Sequence, residues 1–327
     1  MRRRVVITGI GVITPLGAGR QVLWNALLEG RSGIGRVQSF DTTRYNVHLG
    51  AEVKGFQAEQ YVRKLNPASL GRASQLAIGA ARLAFEDACV SGGQEDRANA
   101  FLHSFESHRR GVCVGTTSGE PQEIERLNDD LISGQLHRAG DGFISRYPCH
   151  LIGAYIAAEF GLSGPNVTIP CACAAGNYAI AHAVQSIRAG SVDMMLAGGA
   201  DAFSRITFTG FARLGAIAPE YCQPFDRSRK GMIPGEAAGM LVLEPLDSAL
   251  RRGARIYAEV TGWGLSCDAY HMTAAHPQGE GAARAMEMAL AESGLKRPRH
   301  VSQHRGDAVK IEKLPAGRRA LPNEIAL

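Results

Sequence analysis

The sequence lacks any long uninterrupted run of apolar residues. Although 45% of its 327 residues are hydrophobic, no window reaches the roughly 18 consecutive apolar residues that a membrane-spanning helix needs. The start, MRRRVVITGIGVITPLG, places arginines before an apolar run, but glycine and proline interrupt that run and no small-residue cleavage site follows. We therefore expect a globular cytoplasmic protein, with a buried strand at its start and no membrane segment.

Paired metal-binding cysteines and a complete nucleotide motif are also missing. The seven cysteines are odd in number and scattered, which favours reduced thiols over a disulfide framework. Cys171 and Cys173 have one residue between them and no second pair, whereas structural zinc takes four ligands with wider spacing. Gly9 and Gly11 lack the third glycine and the spaced acidic residue of a dinucleotide fingerprint. These absences argue against both a metal and a nucleotide cofactor.

Excess positive charge is absent from most of the chain. The net charge is +5, and the segment 296–327 alone contains eight Lys or Arg and three acidic residues, so the residues before it are neutral in sum. A basic tail without aromatic residues is typical of a solvated segment rather than of a nucleic-acid site. We expect no nucleic-acid partner.

What the sequence does contain is a series of short apolar runs bounded by glycine, alternating with helical patterns. Such runs are typical of strands covered on both faces. Predicted strands lie at 5–10, ending in a glycine turn, and at 111–119, 192–201 and 239–246; predicted helices lie at 20–29 and 73–88. The alternation predicts an α/β fold with parallel crossovers.

A faint internal repeat runs across these elements. ITGIGVIT is echoed by VTGWGLSC, and GAARLAFEDACVSGG by GAARAMEMALAESGL, in the same order along the chain. A duplicated βα half would leave this pattern, and chance identity over four residues is the alternative.

The segment VTIPCACAAGNYAIAHAV places a cysteine between a strand and a helix. Pro170 cannot donate to a sheet ladder, and Gly176 permits a sharp turn into a helix from about Asn177. Cys173 then lies at or just before the helix N-terminus, where unpaired N–H groups and the helix dipole favour a thiolate. Such a thiolate is a nucleophile suited to acyl transfer, with neighbouring amides able to hold an oxyanion. Two small buried thiols are the alternative interpretation.

At these residues the chain resembles the β-ketoacyl-acyl carrier protein synthases. GPNVTIPCACAAGNYAIAHAVQSIRAGSVDMMLAGGAD is similar to the family's nucleophile region, with Cys173 at the nucleophile position. Cys171 stands where the family usually has threonine, so we expect its side chain to be packed. VVITGIGVITPLG, PFDRSRKGMIPGEAAGMLVLE and DAYHMTAAHPQGEGAARAM resemble further family motifs in the same order, so that the resemblance covers about 4–296.

The resemblance implies a thiolase-like αβαβα layered fold built from two similar halves. We expect a complete N-terminal synthase domain at 1–250 and a truncated C-terminal domain at 251–327 with a divergent basic tail. It also implies a dimer, with itself or with a related synthase, that needs neither metal nor nucleotide. Its partner would be an acyl carrier protein that presents acyl and malonyl phosphopantetheine thioesters.

The implied reaction is a decarboxylating condensation in fatty-acid or polyketide biosynthesis. Cys173 would hold the acyl group as a thioester, and the carbanion left by decarboxylation of malonyl would attack it. The family uses two late histidines; His304 is the candidate for the first, and the segment for the second does not occur. His271 and Thr273 resemble residues near the pantetheine entrance. We therefore expect impaired condensation, the alternatives being a noncatalytic chain-length partner or an acyl-loading enzyme.

Overall fold

The computed structural model describes residues 3–89, 97–135, 140–272 and 274–294, which form a seven-stranded mixed sheet with helices on both of its faces and a separate two-stranded sheet. The strands are β1 (Val5–Thr14), β2 (Gly17–Ala18), β3 (Gly35–Arg36), β4 (Leu49–Gly50), β5 (Arg110–Gly115), β6 (Asn166–Ile169), β7 (Met194–Asp201), β8 (Ala237–Pro245) and β9 (Ala258–Glu259). The helices are α1 (Arg20–Leu28), α2 (Arg72–Ala88), α3 (Arg97–Leu102), α4 (Pro121–Ile132), α5 (Gly140–Arg146), α6 (Leu151–Phe160), α7 (Ala175–Arg188), α8 (Arg205–Arg213), α9 (Leu246–Arg251) and α10 (Glu280–Ser293). Among these helices, none combines the length and hydrophobicity needed to cross a bilayer.

The main sheet has the order β2-β1-β8-β7-β5-β6, and β9 pairs with β1. Strands β6, β5 and β7 are parallel, whereas β8 is antiparallel to both β7 and β1. The predicted α/β class is therefore confirmed. The expectation of parallel crossovers holds only for β5, β6 and β7, because the chain returns into β8 in the opposite direction.

Two hydrophobic cores lie on opposite faces of this sheet. Helix α2, with α3 and α6, covers one face, and α7 covers the other. Every residue of β5 is buried, which accounts for its apolar sequence after Arg110, since a strand covered on both sides has no polar face. Helix, sheet and helix thus form three successive layers, in agreement with the predicted layered architecture.

The first strand does not stop at its glycines. β1 extends to Thr14, so the predicted turn after residue 10 is wrong. The glycines are required because α2 lies directly on the strand: a Cβ added to Gly9 would lie 2.2 Å from the carbonyl oxygen of Ala84, and one added to Gly11 would lie 1.9 Å from that of Ala80. They permit close helix–strand packing rather than a turn.

The same packing recurs in the second copy of the repeat. A Cβ added to Gly262 would lie 2.4 Å from the carbonyl oxygen of Ala289, and one added to Gly264 would lie 1.8 Å from that of Ala285. In both copies, two glycines separated by one residue pack against two alanines that are four apart on a helix. The internal repeat is therefore visible in the packing.

A carboxylate completes the correspondence between the two copies. The amide between the first glycine pair, that of Ile10, donates to Asp87 at 3.0 Å, and the amide between the second pair, that of Trp263, donates to Glu292 at 2.9 Å. By these contacts Asp87 in the first copy corresponds to Glu292 in the second. An alignment of the shared Gly-Ala-Ala-Arg letters would instead pair Asp87 with the residue three positions before Glu292. The letters are misleading because the face that meets the strand is set by small residues at i and i+4.

Candidate active site

The site lies where β5, β6 and β7 end and α7 begins. After β6 the chain makes a 3-10 turn at Ala172–Ala174 and enters α7 at Ala175. Cys173 is exposed in this turn, immediately before the helix, which is where the sequence places it. The turn itself comes from Ala172, whose φ of 45° is left-handed. This conformation is uncommon for a residue with a Cβ and is found mainly at constrained positions.

The glycine that the sequence assigned to the turn has another role. Gly176 lies inside α7, and the nearest atom to a Cβ added there would be the amide nitrogen of Gly199 at 3.9 Å. The close contact between α7 and the sheet occurs instead at Gly115, the last residue of β5, where an added Cβ would lie 2.2 Å from the carbonyl carbon of Ala175. Because β5 ends in glycine, the first turn of α7 can rest on the sheet, and this fixes the height of Cys173 above it.

An open cavity of about 460 Å³ surrounds the thiol. Besides Cys173 and the start of α7, its lining includes the turn after β5, the end of β7 and the segment leading into β8. The polar side chains in this lining are Thr117, Asp201 and Glu236. The sequence predicted the strands and the helix that meet here, but it indicated no role for any of these three residues.

Asp201 organises the turn after β5. Its Oδ1 accepts hydrogen bonds from the hydroxyl of Thr116 at 2.9 Å, the amide of Thr117 at 2.7 Å and the amide of Ser118 at 3.2 Å. One carboxylate oxygen therefore holds three donors of a single loop. The Gly-Gly-Ala-Asp letters that end β7 are the one local signal that could have drawn attention to this residue.

Glu236 joins three separate segments beside the cavity. It is buried and accepts hydrogen bonds from the amide of Val53 at 2.9 Å, the amide of Phe203 at 3.2 Å and the guanidinium of Arg72 at 2.9 Å. A buried carboxylate with this many donors is a structural anchor. The two acidic groups of the lining thus shape the cavity walls around the thiol.

The cysteines of this region differ sharply in their surroundings. Cys113, on β5, is fully buried, and that burial raises the pKa of its thiol to about 12, so it stays protonated and unreactive. Cys171 is exposed. The expectation that Cys171 packs in place of the family's threonine is therefore wrong, because the left-handed residue that follows it turns the chain at the protein surface.

The other predicted site residues are placed as follows. His271 is exposed, and its Nδ1 accepts a hydrogen bond from the amide of Ala274 at 3.1 Å; it is not part of the lining of the Cys173 cavity. Thr273 and His304 lie outside the described residues. Within the ranges that the structure describes, no group of three or more His, Cys, Asp or Glu side chains is arranged to hold a metal ion.

A cysteine at a strand–turn–helix junction, open to a cavity at the end of an α/β sheet, is the arrangement that acyltransferases with a thiol nucleophile use. Comparison with known families gives the particular member of that class. The β-ketoacyl synthase N-terminal domain matches residues 2–249, and the β-ketoacyl synthase C-terminal domain matches residues 257–306, a range that includes His304. The chain belongs to the β-ketoacyl synthase family.

Individual relatives agree with this assignment. The 3-oxoacyl-[acyl-carrier-protein] synthase 2 of Vibrio cholerae is 36% identical over 301 residues, which are 90% of this chain and 70% of that protein. The solved structure of the ishigamide ketosynthase/chain length factor is 41% identical, with a TM-score of 0.81 over 90% of this chain and 71% of that one. A second solved structure is that of a type II polyketide synthase acyl-carrier protein in complex with its ketosynthase bound to the hexaketide. The matching chain of that structure is 27% identical, with a TM-score of 0.77 over 90% of this chain and 71% of that chain.

Proposed function

We propose that this protein is a 3-oxoacyl-acyl carrier protein synthase in which Cys173 accepts the acyl chain. The observation that carries the proposal is the exposed thiol in the turn before α7, at the mouth of a cavity of about 460 Å³. Sulfur suits both halves of the reaction, since a thiolate attacks a thioester readily and later leaves the acyl group. Membership of the β-ketoacyl synthase family supports the same reaction.

The reaction proceeds in two stages. In the first, the Cys173 thiolate attacks the thioester of an acyl carrier protein, and the phosphopantetheine thiol leaves. In the second, malonyl on a second carrier loses carbon dioxide, and the resulting carbanion attacks the carbonyl carbon of the acyl–Cys173 thioester; a C–C bond forms, the C–S bond breaks, Cys173 leaves as a thiolate, and the chain is two carbons longer on the second carrier. Backbone N–H groups at the start of α7 would hold the oxyanion that forms in each attack.

Further site residues are part of the proposal. His304 is assigned to the decarboxylation step, and His271 and Thr273 to the entrance for the carrier's pantetheine arm. We also propose two domains, at 1–250 and 251–327; the two family matches, which end at 249 and begin at 257, support that division. A cytoplasmic location agrees with the seven cysteines being free thiols.

Intact mass spectrometry tests the first stage directly. We expect the purified chain to gain one acyl mass after incubation with an acyl carrier protein thioester, and the Cys173→Ser variant to gain no thioester-bound acyl group. Cys171→Ser is the matched control and should still be acylated, because it changes the neighbouring thiol only. A wild-type chain that gains no acyl mass would refute the proposal and indicate a noncatalytic partner subunit.

The second stage is tested by adding malonyl carrier protein to the acylated chain. A condensing enzyme releases a product two carbons longer together with carbon dioxide. Acylation without elongation would instead identify an acyl-loading enzyme, which is the weaker alternative. These two readouts separate the candidate functions without any change to the protein.

A dimer with a second synthase chain is the remaining part of the proposal. Within the described residues, β6 lies at the edge of the main sheet with β5 as its one neighbour. The amide of Val112 in β5 donates to the carbonyl of Pro165, and the amide of Thr116, just after β5, donates to that of Ile169, so alternation along the strand turns the backbone groups of Asn166 and Thr168 outward. An unpaired edge of this kind is a natural site for strand pairing with another chain.

Proline substitution tests this edge without breaking the existing ladder. Thr168→Pro removes an outward N–H, and we expect it to shift the chain from dimer to monomer in size-exclusion chromatography with light scattering. Thr168→Ala keeps the N–H and should remain dimeric. If both variants have the wild-type mass, β6 does not form the interface.

A further inference from the structure

Two thiols are exposed on either side of Ala172. Cys173 is the proposed acyl acceptor, and Cys171 stands two residues before it with no packing role. Both belong to the same surface turn, whereas Cys113, in the strand below, is sealed in the core. A second accessible thiol beside a nucleophilic one raises the question of what it does.

The single residue between the two cysteines limits how far apart they can lie. Residues two apart can separate by at most roughly 7 Å when fully extended, and disulfides join Cα atoms that are about 4.4 to 6.8 Å apart. Ala172, with a φ of 45°, begins a 3-10 turn between them. The Cα separation therefore cannot exceed roughly 7 Å, which is close to the upper end of the range that a disulfide spans.

We propose that Cys171 is a resolving thiol that forms a reversible disulfide with Cys173. A hydroperoxide supplies the oxidising equivalents. The Cys173 thiolate attacks one peroxide oxygen, so that an S–O bond forms and the O–O bond breaks; Cys173 becomes a sulfenic acid, and the other oxygen leaves as hydroxide, which takes up the proton that the thiol had released and becomes water. The Cys171 sulfur then attacks the sulfenic sulfur, an S–S bond forms, and the hydroxyl leaves as water with the Cys171 proton.

The disulfide protects the same sulfur that the proposed function requires, and the inference rests on that function for its consequence. A sulfenic acid without a nearby thiol proceeds to sulfinic and sulfonic acids, and those forms are not restored by thiol reductants. A disulfide closed over one residue at the surface is exposed and easily reduced, as labile and regulatory disulfides are. While it is closed, Cys173 cannot accept an acyl group; a dithiol reductant restores it.

Peptide mass mapping of the full chain after peroxide treatment tests the inference. The chain is exposed to hydrogen peroxide, alkylated with N-ethylmaleimide and digested without reductant. We expect the peptide that contains Cys171 and Cys173 to be two hydrogens lighter than its reduced form and free of alkylation. In Cys171→Ser and Cys171→Thr, the same peptide should instead carry added oxygen on Cys173.

Recovery by reductant provides the second readout. After peroxide and then dithiothreitol, we expect iodoacetamide labelling of Cys173 to recover about tenfold more in the wild type than in either Cys171 variant. Cys222→Ser, which removes an exposed thiol elsewhere, should behave as the wild type does. Equal recovery in the wild type and the Cys171 variants, with no lighter peptide, would overturn the inference.

These measurements are independent of acyl transfer. They follow the thiols by alkylation and mass, so disulfide formation in a chain that takes no acyl group would refute the proposed function and leave the disulfide established. Acylation of a chain that forms no disulfide would support the proposed function and overturn the disulfide inference.

Discussion

Gly115 is the position at which a single methyl group should displace the nucleophile. A Cβ there would lie 2.2 Å from the carbonyl carbon of Ala175, 2.4 Å from its oxygen and 2.5 Å from the amide of Gly176, whereas ordinary contacts begin at 3.4 Å. The contacting atoms are backbone, so the methyl group can be accommodated only if the start of α7 moves by roughly 1 Å. Cys173 is two residues before Ala175 and must move with it.

We expect Gly115→Ala to have two separate effects. Overpacking against backbone should lower the free energy of unfolding by about 1 to 3 kcal/mol. Misplacement of the nucleophile by roughly 1 Å should slow acylation of Cys173 by about 100-fold. Thermal unfolding measures the first effect, and the rate of acyl mass gain from carrier thioester measures the second.

Two further glycines of the same cavity provide controls. Gly239→Ala changes another strand glycine, but its Cβ would have one neighbour, at 4.0 Å, so neither unfolding nor acylation should change much. Gly176→Ala should leave stability unchanged or raise it by up to about 1 kcal/mol, because Gly176 is helical and has room for a methyl group. Wild-type behaviour of Gly115→Ala, or unfolding of Gly176→Ala, would refute this account of the junction.

Two buried carboxylates give further predictions. Burial raises the pKa of Glu120 to about 7 from 4.5, so the stabilisation from its protonated form is complete below about pH 4.5 and is lost as the pH rises through 7. The unfolding free energy of the wild type minus that of Glu120→Gln should therefore fall by on the order of 3 kcal/mol between about pH 4.5 and 8. A difference that stays constant with pH would contradict this. Arg82 donates to the fully buried side chain of Glu159 at 2.6 Å, so Arg82→Met should cost about 3 to 5 kcal/mol in urea unfolding. Arg251→Met, which removes an exposed pair with Asp247, should cost less than about 0.5 kcal/mol.

The elements that the sequence predicted well are those whose signal is local. Apolar runs bounded by glycine marked β5, β7 and β8, and the alanine-rich pattern marked α2 to within one residue. The position of Cys173 before a helix was also local, since it depended on the strand, Pro170 and the helical pattern beyond. Each of these features is decided by neighbours along the chain.

The features that were missed or wrong depend on contacts between distant segments. Asp201 and Glu236 line the cavity because they hold loops far away in the sequence, and no local pattern reveals those partners. The sequence assigned the turn to Gly176, although Ala172 makes it. Glycine letters are ambiguous in this way because the same residue serves both for a turn and for close approach.

The location of the nucleophile follows from this second use of glycine. A helix that begins directly on a sheet needs a strand end without a side chain, and Gly115 supplies it under the start of α7. A larger residue at this position would raise the start of the helix, so the 3-10 turn that carries Cys173 would lose its fixed position relative to the cavity wall. The carboxylates of Asp201 and Glu236 then hold the facing loops in place by hydrogen bonds to their amides. Rigid placement of one thiol thus comes from close backbone packing below it and from charge-assisted hydrogen bonds beside it, and both lie in elements that neither contain the cysteine nor adjoin it in sequence.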